Sequence, residues 1–360
     1  MARNRDVLLY GATGFTGRLI AAQLASRKLR FAIAGRESES LHALGARLGV
    51  TVFSSELGDA AALDRAFSSA SVVMAAAGPF AKTGAALVEA ALRTRTHLID
   101  VSGEPAYLRE TRSRDLEARD AGVAIVHSVG FDVLPAELLA QLCQKPLGAL
   151  ETLSLGTAHV LGSPSHGTLQ SYLTMASGAA LSFIEGQLVD EPLGAHRRVI
   201  EFSPPVGARA ATSIGSAEVV LLARSLPARN VIHYLGTLAP VALSVAERAA
   251  PTFSVQALEQ SLVKLREAGL RGPDEAARRQ NAFSLWCQAE TADGRSRTMT
   301  LDGVDPYGLS AVLAVAAAGM VSDPGFRARG VLTPLQALEA QPLLAAMANV
   351  GVRWRAIAPQ

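Results

Sequence analysis

The stretch that most constrains what this chain can fold into is residues 6–17, DVLLYGATGFTG. Val7, Leu8, Leu9 and Tyr10 form the short apolar run of a strand buried on both faces, and Gly11 ends it. Gly11, Gly14 and Gly17 follow one another with Ala12, Thr13, Phe15 and Thr16 between them, and residues 18–24 carry helical apolar spacing. Glycine at the first position permits a tight turn, at the second lets a pyrophosphate approach the backbone, and at the third lets the helix pack on the strand. The amide hydrogens that open the helix then face the phosphates. Strand, glycine turn and helix in this order predict that Gly11, Ala12, Thr13, Gly14, Phe15, Thr16 and Gly17 hold a dinucleotide. The plainer reading of the same residues is an ordinary strand-to-helix turn.

Residues 31–34, FAIA, read as the second strand, with Gly35 and Arg36 at its carboxyl end. A carboxylate at that place accepts from the ribose hydroxyls of NAD, whereas an arginine holds the 2′-phosphate of NADP. Arg36 therefore points to NADP as cofactor. Glu37 beside it would repel a phosphate if it faced inward, while Ser38 and Ser40 could donate to one. The alternative for Arg36 is a surface charge at the start of the next helix.

The pattern repeats. Strand-like runs at 50–53, 71–76, 97–101 and 122–127 alternate with helical spacing, which predicts a parallel sheet with right-handed crossovers. Residues 56–58 fall where an adenine ring rests at the edge of such a sheet. The expectation is an α/β chain with a Rossmann-type, doubly wound domain over residues 1–147. From residue 149 the pattern changes to alternation at 152–160, 197–202, 218–222, 282–290 and 297–301, the mark of an antiparallel sheet with one solvated face. Helical stretches are expected at 168–188 and 255–268, and Asp293-Gly294 reads as a hairpin turn. This predicts a second, mixed α/β domain with a largely antiparallel sheet over 148–304, serving substrate binding or dimerisation. Helices at 307–321 and 333–348 and a strand at 352–356 make up a segment, 305–360, expected to return to the first domain.

With 360 residues, 49% hydrophobic and 18% charged, the chain is long enough for two domains with a substantial core. Its formal charge of +2 without a long basic run excludes a nucleic-acid footprint. Cys143 and Cys287 show no metal-ligand spacing, so no metal site is expected. Cys143 falls on the apolar side of a helical stretch and reads as a buried structural thiol. The apolar run after the basic first residues is too short for a signal peptide, and residues 309–321 are too few to span a bilayer. A cytoplasmic protein without an integral membrane segment is the expectation.

In an open α/β sheet the reactive end of a cofactor lies beyond the carboxyl ends of the strands. Residues 77–80, 101–104 and 129–135 sit there by position. Gly78, Pro79 and Phe80 are a candidate wall for nicotinamide, since glycine permits close approach and proline fixes the backbone; a strained turn before a helix is the alternative. Asp100, Ser102 and Glu104 cluster beside it, and a carboxylate there could orient a substrate or relay a proton. Glu104 could equally cap the next helix. Asp132, before Pro135, either caps a helix or faces the site. His166, in SPSHGT, is a candidate acid or a histidine bonded within a turn. No tyrosine has a lysine four residues on, which excludes the short-chain dehydrogenase arrangement. Neither cysteine has the polar, helix-opening setting of an acyl-enzyme nucleophile.

GATGFTGRL at 11–19, AGR at 34–36, AGPF at 77–80, HLIDVSGE at 97–104, GFDVLP at 130–135, HGT with Ser171, and GVLTP at 330–334 occur in the order seen in saccharopine dehydrogenase-like oxidoreductases. The chain resembles most the branch of bacterial trans-acting enoyl reductases and their eukaryotic relatives. It departs from that pattern in His166, where glycine is usual, and in His97, where tyrosine is common. The resemblance implies an amino-terminal NADP-binding Rossmann domain, a mixed second domain, and hydride transfer to or from a C=N or C=C bond. Glu104, Asp132 or His166 would supply the proton, and Ser102 would join Gly78, Pro79 and Phe80 at the cofactor. The expected partners are a small-molecule or carrier-linked substrate and a second copy of the chain. The competing expectation is a catalytically silent NADP-binding sensor or scaffold.

Overall fold

A computed structural model describes residues 5–131, 133–160, 164–169, 179–237, 259–260, 263–264, 267–268 and 272–358. The chain divides into two compact units, one of residues up to Leu134 with Tyr307–Ala346, the other of Pro135–Pro306 with the residues from Met347 on.

The first unit is built on a seven-stranded parallel sheet. Its strands are β1 (Arg5–Tyr10), β2 (Phe31–Gly35), β3 (Thr51–Ser54), β4 (Ala70–Ala75), β5 (His97–Asp100), β6 (Ala124–Val126) and β15 (Gly330–Leu332), in the order β15-β6-β5-β4-β1-β2-β3. Val7, Leu8, Leu9, Val72, Val73 and Met74 are fully buried, as strands covered on both faces must be. The connecting helices are α1 (Phe15–Ser26), α2 (Glu39–Leu48), α3 (Ala60–Phe67), α4 (Phe80–Thr94), α5 (Pro105–Arg112) and α6 (Asp115–Asp120). Strand order reverses between β1 and β4, which places the crevice of the fold beyond their carboxyl ends. The α/β, doubly wound architecture read from the sequence is therefore present. The seventh strand, β15, was not foreseen: three residues carry no period, and it is held by β6 and by the Asp115 carboxylate, which accepts from the Val331 amide at 2.8 Å.

The second unit carries a mixed nine-stranded sheet. Its strands are β7 (Leu150–His159), β8 (Ala180–Ile184), β9 (Gln187–Glu191), β10 (Arg197–Glu201), β11 (Ala208–Ser213), β12 (Ala228–Gly236), β13 (Ala282–Glu290), β14 (Ser296–Val304) and β16 (Arg353–Ile357). Among the described residues only β12 and β7 run parallel; the other ladders of this sheet are antiparallel. Helices α7 (Val133–Gln144), α8 (Ala217–Ser225) and α9 (Glu275–Gln280) precede α10 (Pro306–Ser322), α11 (Pro334–Ala337) and α12 (Ala340–Asn349), and Tyr307–Ala346 of these last three belong to the first unit. Cys143 is fully buried, its thiol directed at the Arg297 carbonyl at 3.1 Å.

Four sequence expectations change here. Residues 218–222 are not a strand but lie in α8, where Ala217 to Leu222 are buried on every side, so the pattern could not separate helix from strand. The helix expected over 168–188 gives way to the β8–β9 hairpin, turned at Glu185 and Gly186, both at positive φ; residues 170–178 lie outside the described residues. The helix expected over 333–348 breaks at Leu338, because Pro342 belongs in the first turn of a new helix rather than the interior of a long one. The last strand does not return to the first sheet. β16 pairs with β14, Leu301 opposite Trp354, because β14 otherwise ends the second sheet with an open edge. The helix expected at 255–268 falls largely outside the described residues.

Candidate nucleotide site

Gly11 leaves β1 with its amide bonded to the Ala34 carbonyl at 2.9 Å and adopts φ +86°. A Cβ on it would lie 2.8 Å from the Ala77 Cβ, and one on Gly17 would land on the Gly11 carbonyl oxygen. Both positions therefore exclude any side chain. Gly14 is the N-cap of α1: its amide donates to Gly11 O at 3.1 Å, no side chain caps the helix, and no acid stands in the first turn. The helix thus opens with its amide donors unblocked by side chains, the arrangement that binds an anion. Ala12 is buried, Thr13 O accepts from Arg18 Nε at 3.1 Å, and the Phe15 ring packs edge-on against Tyr307 at 5.0 Å. Gly11 and Gly17 let strand, turn and helix close on one another, and Gly14, whose Cβ position lies no nearer than 3.4 Å to a described atom, leaves the backbone bare at the helix opening, so the turn fits a pyrophosphate at the α1 amides.

At the end of β2, Arg36 is exposed. The Glu37 carboxylate is held by the Ser54 hydroxyl and lies 2.7 Å from His42 Nε2; the Ser54 hydrogen bond holds it below the usual carboxylate range. Ser38 is committed as the cap of α2, accepting from Leu41 N at 3.3 Å. Tyr10 donates to the Ser55 carbonyl at 2.9 Å, and its pKa is pushed up to about 12 by burial and by the charge of Glu56, against the opposing charge of Arg36.

Beyond β4 the chain turns through Gly78 and Pro79, which are exposed, to Phe80, whose ring is buried and stacked on Tyr107 at 5.5 Å. Glu104 bonds here rather than at the helix that follows it: its carboxylate accepts from the amides of Phe80 at 2.6 Å and Ala81 at 2.8 Å. It acts as an acceptor that caps α4 across space. Ser102 is buried, and its hydroxyl accepts from Glu104 N at 3.1 Å.

The centre of this region is Asp100, fully buried at the end of β5. Its Oδ1 accepts from the amides of Ser102 and Ser128, both at 3.0 Å, and its Oδ2 meets His127 Nδ1 at 2.6 Å and the Tyr107 hydroxyl at 3.2 Å. Nδ1 of His127 thus satisfies Asp100, and its buried Nε2 has no hydrogen-bond partner among the described residues. Burial first, and then Asp100, push the Tyr107 hydroxyl well above its ordinary pKa, so it stays protonated. Sequence reasoning placed Asp100 at the site but missed Tyr107 and His127. A polar residue closing the buried run AIV was the available signal for His127; nothing local marks Tyr107.

Of the three expected proton donors, Glu104 is engaged at α4 in the first unit. His166 is half-buried in the second unit, opening a helical turn (166–169) whose amide at Thr168 donates to Ser165 Oγ at 3.2 Å. Asp132 lies outside the described residues.

Residues 11–119 match a family model described as NAD(P)H-binding. A trans-acting enoyl reductase of Mycobacterium leprae is 36% identical over 146 residues, 38% of this chain and 34% of that protein. A human saccharopine dehydrogenase-like oxidoreductase is 34% identical over 152 residues, 37% of this chain and 35% of that protein. The matched stretches span less than half the length of the curated relatives. Among solved structures, a saccharopine dehydrogenase (L-Glu forming) of Saccharomyces cerevisiae superposes with a TM-score of 0.66 over 99% of this chain and 100% of that one, at 16% identity, which shows a shared fold. No helix among the described residues is long and apolar enough to cross a membrane. The chain thus matches an NAD(P)H-binding model over residues 11–119, is similar over less than half its length to trans-acting enoyl reductases and a saccharopine dehydrogenase-like oxidoreductase, and shares the fold of a saccharopine dehydrogenase.

Proposed function

We propose that this chain is an NADP(H)-dependent oxidoreductase that moves a hydride to or from a C=C or C=N bond of a small-molecule or carrier-linked substrate. The observation that carries the reading is the Gly11–Gly14–Gly17 cradle at the uncapped start of α1, with Arg36 exposed at the end of the neighbouring strand. The nicotinamide, when bound, supplies the hydride. The residues of the chain then have four tasks: the α1 amides take the pyrophosphate, Arg36 takes the 2′-phosphate, the exposed Gly78 and Pro79 border the ring, and Ser102 and Glu104 hold the adjoining loop. Engagement of Glu37 by Ser54 and His42 ties down the acid nearest to the 2′-phosphate position. A cytoplasmic location and a homodimer belong to the same proposal.

Direct titration with NADPH and NADH tests it. NADPH is expected to bind more tightly, and Arg36→Glu to weaken NADPH by about tenfold to a hundredfold while leaving NADH unchanged. Equal affinities, with no effect of Arg36→Glu, would overturn the cofactor assignment. A second reading, a silent NADP-binding sensor or scaffold, is favoured by one observation: the Glu104 carboxylate is already committed to capping α4. NADPH oxidation with an enoyl thioester or an imine separates the two.

A further inference from the structure

Arg209 lies on β11, opposite Ile200 of β10, and is 2% exposed. Its Nη1 donates to the Ala208 carbonyl at 3.1 Å, and among the described residues its Nε–H has no hydrogen-bond partner and no carboxylate pairs with it. An ion taken out of water without a counter-charge is costly, so buried arginines are ordinarily met by a carboxylate. Burial lowers the Arg209 pKa, but a guanidinium keeps its proton inside a protein and cannot escape the cost by neutralising itself.

The surrounding face adds a second cation, and the acid whose charge reaches Tyr234 there, Glu191, is engaged by His196 Nε2 at 3.0 Å. Residues opposed across a ladder share a face, and the pairs Arg198–Ala211, Ser213–Tyr234, Tyr234–Gly156 and Gly156–Trp286 place Arg198, Tyr234 and Trp286 on the face that carries Arg209. The Arg198 guanidinium lies over the Trp286 ring at 4.5 Å and the Tyr234 ring at 5.7 Å, and it donates to the Gln288 side-chain oxygen at 3.2 Å. It is held by rings and an amide. Beside Arg209 the chain turns at Gly207, half-buried with φ +68°. A Cβ built there would have only Arg209 Nη1 near it among the described residues, at 4.0 Å. Among the described residues, no side chain other than Arg209 itself comes within 4 Å of the Gly207 Cβ position, on the Nη1 side of the guanidinium.

We propose that Arg209 anchors an oxyanion-binding site in the second unit, taking the carboxylate or phosphate group of a small ligand on its Nε edge, with Arg198 as the second cation. The Nε–H and the outer amino group form the fork that matches two oxygens of one anion. The site is independent of the nucleotide reading, which concerns the first unit.

The test is thermal unfolding of the full chain at fixed ionic strength, with acetate, inorganic phosphate or chloride as the varied anion. The native protein is compared with Arg209→Met and Arg209→Lys. A ligand that binds only the folded state raises the melting temperature in a saturable way. Acetate or phosphate is expected to do so in the native protein, chloride is not, and Arg209→Met is expected to lose the response. Saturation by acetate alone assigns a carboxylate ligand, and by phosphate alone a phosphate ester. Arg209→Lys keeps the charge but loses the fork, so its half-saturation should weaken by about tenfold; this arm decides the matter if Arg209→Met does not fold. Absence of any saturable oxyanion response in the native protein, or an undiminished one in the variants, overturns the proposal.

Discussion

The Glu104 carboxylate caps a helix that begins 24 residues before it, binding the Phe80 amide at 2.6 Å and the Ala81 amide at 2.8 Å. In effect Glu104 supplies the acceptor that Pro79, the N-cap residue of α4, has no side-chain oxygen to provide. Removing it should destabilise the fold: Glu104→Ala is expected to cost about 1 kcal/mol in urea unfolding, and Glu104→Gln less, since an amide oxygen still accepts. A loss of NADPH oxidation by a hundredfold or more in Glu104→Gln, with unchanged stability, would instead make it the proton donor.

Asp100 joins β5 to two loops and two side chains through four hydrogen bonds. Asp100→Asn leaves His127 Nδ1–H and the Tyr107 hydroxyl facing an amide inside a dry core. We expect a loss of about 2–3 kcal/mol, read as a shift in the urea midpoint. Tyr107→Phe removes one donor only and should cost about 1 kcal/mol. Equal effects of the two would show that the network does not centre on Asp100.

Gly17 has no room for a methyl group against the Gly11 carbonyl. Gly17→Ala should push α1 off β1, with a loss of about 1–3 kcal/mol by chemical denaturation and a parallel loss of nucleotide affinity by titration. Gly319→Ala is the matched control, because nothing among the described residues stands within 4 Å of its Cβ position.

Acid should weaken the second unit. Burial pushes the His159 pKa from 6.5 down to about 4. Between those values the unfolded chain binds a proton that the folded chain does not, so stability is full above pH 6.5 and falls as pH drops toward 4. The fall is at most about 3 kcal/mol, and it should flatten in His159→Gln when unfolding free energy is followed against pH.

The residues that revealed the first unit are those whose constraint is local. Val7 to Tyr10 are apolar without a period because the sheet is covered on both sides, and Gly11 and Gly17 are glycine because backbone occupies the space of their side chains. The α8 residues defeated the same reasoning, because Glu218, the polar member that imitates alternation, is itself buried within 3.7 Å of His233. The site was half legible for a related reason. Asp100 could be placed by its position at a strand end, but its partner His127 lies 27 residues on and arrives only through the pairing of β5 with β6. Glu104 reads from sequence as either a proton-relaying carboxylate or a cap of the next helix, and the helix it caps instead, α4, is set by where that helix starts in space.

The outer position of β15 has a consequence for synthesis. The strand that covers β6 leaves the ribosome about 200 residues after β6 itself, a delay of about 10–40 s at ordinary elongation rates. Throughout that interval the newborn nucleotide-binding half carries a bare edge able to recruit a foreign strand, so residues 135–306 of the second unit must be translated before the first can be sealed.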